Sequence, residues 1–228
     1  MRRVILLCIF MSGYLALLRE PFLLKERNSL KSKTKTHYKL KAVTENKENK
    51  SSFEVISASV DEEGNSYLIG SPDESFKHSM ELKSKRNSMF IAKYDFNGDQ
   101  EWVKYANDLK GTDILVSGDY FYVTGHTYRM DGEETTFFLS KYDIAGRLIW
   151  QVENENSSYS LGSKLDIYKD EIYVFGFFKD TLSLNSFVLP CKDNSIGDYF
   201  VSKFSEDGEL NSMYFAGNGY LKFNGLKV

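Results

Sequence analysis

The chain has 228 residues and a net charge of −3, split unevenly between its parts. Residues 1–50 hold 12 basic and 4 acidic side chains, net +8, and residues 51–228 hold 17 and 28, net −11. The acidic larger part argues against nucleic-acid binding, which needs a basic face. With Cys8 in the leader and Cys191 alone in a loop, no intrachain disulfide framework is expected in a processed protein.

Taken in chain order, residues 1–24 come first. Arg2 and Arg3 precede an uncharged run, Val4 to Leu18, which is the charged start and apolar centre of an export signal. The run is short for a full span of about 20 residues. No good small-x-small cleavage site follows, and Cys8 sits badly for lipoprotein processing. A signal-anchor lengthened by Pro21-Phe22-Leu23-Leu24 therefore stands beside a cleaved signal, with a buried N-terminal element as the plain alternative. The sequence predicts one apolar helix here and a membrane contact through residues 4–18.

Residues 25–52 are polar and basic, with nine Lys or Arg between Lys25 and Lys50 against Glu26, Glu45 and Glu48. Such a composition buries too little apolar surface to fold alone and reads as a flexible tether. Its charge suits anionic lipid or cell-wall polymer. It conflicts with a simple outward-facing anchor, because positive flanks favour the cytoplasm.

From residue 53 onward one motif is written three times: FIAKYDFNGDQEW at 90–102, FLSKYDIAGRLIW at 138–150 and FVSKFSEDGELNS at 200–212. Before each copy an alternating strand closes on glycine: Tyr67 to Gly70, Tyr122 to Gly125 and Tyr173 to Gly176. Segments of 22, 15 and 26 residues separate those glycines from Lys93, Lys141 and Lys203. Alternating aromatic and β-branched residues, turn clusters such as Asp95-Phe96-Asn97-Gly98, and three prolines in all predict paired strands throughout. A unit of roughly 50 residues and four short strands is that of a β-propeller blade.

On these residues the chain resembles the bacterial β-propeller repeat family, with its Lys-Tyr-Asp-x-x-Gly-x-x-x-Trp and Tyr-Val-Thr-Gly strands. The resemblance covers about residues 53–217 and weakens in the third copy, where Phe204, Ser205 and Ser212 replace tyrosine, aspartate and tryptophan. A quinoprotein-like repeat shares the Asp-x-x-x-Gly-x-x-x-Trp element but lacks the Tyr-Val-Thr-Gly strand, and ranks second. The expectation is an all-β, propeller-like array of about three blades, at 53–109, 110–160 and 161–217, incomplete or open, with the first strand of a further blade at 218–228. Propellers close with four to eight blades. A truncated copy, a ring of several chains associating through open blade edges, and an open arc all remain. The repeat positions Gly70, Gly98, Trp102, Gly125, Gly146, Trp150, Gly176 and Gly208 are assigned to turns and to packing between blades. The lysines are expected to snorkel outward from strand faces.

Chemistry is sparse. His37, His78 and His126 have no partner at ligand spacing, so no metal or cofactor is implied. Asp95-x-Asn97-x-Asp99 has the first oxygens of a calcium loop, but Gln100 and Ala106 stand where glycine and glutamate are required. Phosphate-cradling loops, nucleophile elbows and His-Glu-x-x-His helices are missing, and no catalytic residue is assigned. Binding is expected in the variable segments 71–89, 126–136 and 177–197. Phe177, Phe178, Phe187 and Leu189 are the candidate contacts, unless that segment is a hairpin packed on its own blade. The sequence thus reads as a non-enzymatic, exported or tethered scaffold for a protein or glycan. A fragment or assembly subunit without activity of its own, and a propeller enzyme, are the alternatives.

Overall fold

The computed structural model describes residues 53–72, 88–128, 135–155 and 159–218, all strand, turn or irregular, with no helix among them. The expected apolar helix, the tether and all of the further strand expected at 218–228 except Asn218, which instead ends the strand before it, lie outside the described residues. The fold is all-β, with fourteen strands in four antiparallel sheets among the described residues. The first sheet is the meander β1 (Phe53–Val60), β2 (Ser66–Pro72), β3 (Ser88–Tyr94) and β4 (Gln100–Asn107). The second repeats it with β5 (Leu109–Ser117), β6 (Tyr120–Tyr128), β7 (Thr135–Asp143) and β8 (Leu148–Glu153). In the third, β9 (Ser160–Tyr168) and β10 (Glu171–Phe178) are followed by a separate hairpin, β11 (Thr181–Leu184) and β12 (Phe187–Pro190), before β13 (Asp198–Phe204) and β14 (Leu210–Asn218). The sheets are open.

Local chemistry explains each repeat. Between β3 and β4 the Asp95 carboxylate accepts from the Asn97 and Asp99 amides at 2.9 and 2.8 Å, and Gly98 takes φ +84°. Asp143 does the same for Ala145 and Arg147 in the second sheet. Backbone donors hold both carboxyls below the ordinary aspartate range. In the third copy Ser205 replaces the aspartate yet still accepts from the Glu209 amide, at 3.2 Å.

The glycines Gly70, Gly125 and Gly176 were expected to end their strands, and here the structure differs. β2, β6 and β10 run on past them. Each lies opposite a bulge in the first strand of its sheet, at Ile56, Thr112 and Ser163. A Cβ on Gly125 would stand 1.9 Å from the Lys110 carbonyl oxygen, and on Gly70 2.1 Å from that of Glu54. Close approach of the bulged strand, rather than a turn, demands glycine there.

The sheets stack face to face in chain order. Tyr67, Lys93 and Trp102 are in register across β2, β3 and β4, as Tyr122, Lys141 and Trp150 are in the second sheet and Tyr173, Lys203 and Ser212 in the third. The first two rows lie on the face turned towards the following sheet. Trp102 stacks on Phe121 of the second sheet, with ring centroids 6.1 Å apart, and lies against Gly146. Trp150 lies against Gly208 of the third sheet, where a Cβ would come within 3.0 Å of the indole. The tryptophans thus fill the space between sheets. The lysines do not snorkel outward: Lys93 and Lys141 are only 8% and 5% exposed. Covered by the next sheet, each finds a carboxylate, carbonyl or aromatic ring as a partner. The inner strands are tied directly, since Asp113 of β5 accepts from the Ser57 hydroxyl of β1 at 2.7 Å and from the Leu165 amide of β9 at 2.9 Å.

Candidate functional site

Between the second and third sheets the turn at 205–208 closes over the repeat row. The Lys141 ammonium and the Trp150 indole N–H both donate to the Glu206 carbonyl oxygen, each at 3.0 Å. The ammonium also sits 3.9 Å from the Tyr120 ring centroid, and burial raises the Tyr122 phenol pKa beside it.

Between the first and second sheets the equivalent turn carries Ile144 in place of Glu206, and the row is closed differently. Lys93 turns to Glu101 of its own sheet, at 2.9 Å. Burial opposes its charge, but the Glu101 hydrogen bond and the nearby Tyr67 phenol hold its pKa above the ordinary lysine value. Lys104 donates instead to the Gly146 carbonyl, at 2.7 Å. A cleft of about 450 Å3 remains above the row. Tyr67 and Lys93 line its base, Val60, Val116 and Ile144 its walls, and Glu62, Glu63 and Asp119 its exposed mouth. Asp61 also lines it, but its carboxylate is held by the Asn65 amide and side chain at 2.8 and 2.9 Å. The cleft offers apolar walls, several carboxylate acceptors and one ammonium donor, in a volume within the range of small-molecule sites.

The candidate loop residues are distributed differently from the expectation. Phe178 is fully buried and joins Leu182, Leu184 and Phe200 in the core, so it presents no face to a ligand. Phe177 is half-buried, edge-on to Tyr159 and Tyr199. Leu189 packs against the same core. Only Phe187, 37% exposed, reaches solvent appreciably, beside Val188 at 64%. The hairpin also does more than pack on its own sheet: the Ser183 amide donates to Asn154 and the Asn185 amide to Glu155, at 2.9 and 3.0 Å, which clasps it to the end of the second sheet.

His126 sits late in β6 with its Nδ1 buried and its ring edge-on to Tyr128. Burial, with Lys110 nearby, lowers its pKa to about 4. Among the described residues no group of three or more His, Cys, Asp or Glu is placed to hold a metal ion. Burial raises the Cys191 thiol above its ordinary value, which disfavours the reactive thiolate. The cleft was missed in the sequence because its residues read singly as turn formers. The one available signal is Glu101 against Ile149 at matching repeat positions, because the Glu101 carboxylate is what draws Lys93 aside.

No protein-family model matches this chain, and no curated protein matches it.

Proposed function

We propose that the chain is a β-propeller-type repeat protein acting as a non-catalytic binding scaffold, exported or membrane-tethered through its apolar first residues, with a hydroxyl-rich glycan as its ligand. One observation carries the reading: the repeated aromatic and charged residues serve contacts between sheets, and the interface between the first and second sheets leaves an open cleft of about 450 Å3. Carboxylates at its mouth accept from sugar hydroxyls and the Lys93 ammonium donates to a sugar oxygen. The propeller arrangement rests on the three stacked four-stranded meanders, and export on Arg2, Arg3 and the apolar run after them.

The test is a panel of envelope and cell-wall oligosaccharides titrated against the protein by calorimetry. Binding is expected for at least one, weakened tenfold or more by Ile144→Trp, which fills the cleft, and by Asp119→Asn at its mouth, with the melting temperature unchanged. Binding that survives Ile144→Trp overturns the cleft as the site. A second reading, a protein partner, is favoured by the apolar hairpin tip of Phe187 and Val188. It requires Val188→Ser to abolish that partner's binding and leave sugar binding intact.

A further inference from the structure

The turn over the open cleft departs from the repeat. Between β1 and β2 it runs through Asp61-Glu62-Glu63-Gly64-Asn65, whereas the equivalent turns are only Gly118-Asp119 and Lys169-Asp170. Asp61 holds the longer turn in shape. Its carbonyl accepts from the Gly64 amide at 3.1 Å, and its carboxylate accepts from the Asn65 amide at 2.8 Å. Glu62 and Glu63 are left at the tip, both exposed. The added length thus places two further carboxylates at the mouth of the cleft.

Charge gathers there without an internal partner. Asp61, Glu62, Glu63 and Asp119 line the cleft against a single cation, Lys93, and Lys93 is already matched by Glu101 at 2.9 Å. Among the described residues no ion pair involves Glu62, Glu63 or Asp119. Carboxylates crowded at one opening repel one another, and the low-dielectric walls of Val60, Val116 and Ile144 focus their field. A neutral hydroxyl answers that field weakly and an ammonium fully. The carboxylates do not converge as metal ligands do, since among the described residues no group of three or more His, Cys, Asp or Glu is placed to hold a metal ion. They suit an organic cation whose charge is carried on a broader frame. A second observation lies at the base of the cleft. The Tyr67 side chain is wholly buried, and its hydroxyl has no hydrogen-bond partner. A buried hydroxyl in that state calls for a polar atom from outside.

On the reading that the cleft takes a glycan, we propose that this glycan carries free amino groups. A sugar ring enters between Val60, Val116 and Ile144, and its ammonium donates to Glu62, Glu63 and Asp119 at the mouth. An N-acylated ring of the same shape lacks the charge and leaves those carboxylates facing one another unanswered.

Calorimetric titration of the full chain at about pH 6, where the carboxylates are ionised, compares a β-1,4-linked glucosamine tetramer, its fully N-acetylated counterpart, and spermine, a cation without a sugar. The glucosamine tetramer is expected to bind tenfold or more tightly than either of the others. Its advantage over the acetylated tetramer is expected to shrink as salt approaches about 1 M. Glu62→Gln combined with Glu63→Gln is expected to erase that advantage and leave the melting temperature unchanged, because both side chains are exposed. Equal binding of the two tetramers overturns the amino-sugar assignment, as does spermine binding as tightly as the glucosamine tetramer, or an advantage untouched by the paired glutamine substitutions. In each of those cases sugar binding that Ile144→Trp abolishes keeps the glycan reading standing. Absence of any sugar binding sensitive to Ile144→Trp brings down both.

Discussion

The two interfaces between sheets use the same row of tyrosine, lysine and tryptophan and close it in opposite ways. Between the second and third sheets, one backbone oxygen, that of Glu206, takes both the Lys141 ammonium and the Trp150 indole. Between the first and second, Lys93 is drawn sideways to Glu101, whose side chain is 41% exposed, and the space is left open to solvent. A repeated frame therefore does not fix what happens at its seams. At the sealed seam the lysine of the row reaches a carbonyl of the neighbouring sheet, and at the open one it turns to a carboxylate of its own sheet while Lys104 bridges the sheets beside the cleft.

The comparison breaks first at the sheet that both seams share. Gly125→Ala forces a Cβ onto the Lys110 carbonyl and is expected to cost about 3 kcal/mol or more, read by urea unfolding. Gly98→Ala, at φ +84° with open space around it, costs about 1 kcal/mol. Next, Asp113→Ala strips an acceptor from both seams at once and leaves the Leu165 amide without its partner, for about 2 kcal/mol. The comparison is sharpened by Lys141→Met against Lys93→Met. The first is expected to cost about 1–2 kcal/mol because it removes a part-buried bond between sheets. The second is expected to cost less than about 1 kcal/mol, because water takes over at Glu101. Equal losses from the two would show that the seams are energetically alike.

The smallest effect is on pH. The folded-state pKa of His126 is lowered from 6.5 to about 4, so the unfolded chain takes up that proton first. Stability from this residue is therefore complete above pH 6.5 and declines as pH falls towards 4. His126→Asn is expected to flatten that limb of the stability profile, measured as unfolding midpoints from pH 7 to pH 4. An unchanged limb would place the titration elsewhere.

Much of the frame was legible in the sequence, because strand alternation and the Asp-x-x-Gly turns are local signals repeated three times. The use made of the repeated residues was less so. Nothing in Tyr-Val-Thr-Gly shows that its glycine faces a bulge, since the bulge lies in the partner strand. Lys93 and Lys141 read as surface residues because their burial depends on the sheet that follows. Asp113 escaped notice for a related reason: the residues after the three bulges are Ser57, Asp113 and Lys164, so comparing repeats discards the position that links them. Phe178 reads as a loop contact because apolar residues in an insertion look the same whether the hairpin stands free or clasps a neighbour.

The face-to-face stacking has a kinetic consequence. Strands within each meander pair mostly with sequence neighbours, which keeps loop-closure costs low and favours rapid formation of single sheets. Coupling then passes from each sheet only to the next, as in a one-dimensional array. The second sheet, with a described neighbour on both faces and Asp113 reaching to each, is expected to form the nucleus, which substitutions there that slow refolding would show. The outer two described sheets are expected to open first, so the 450 Å3 cleft borders a sheet whose amides should exchange before those of the middle sheet.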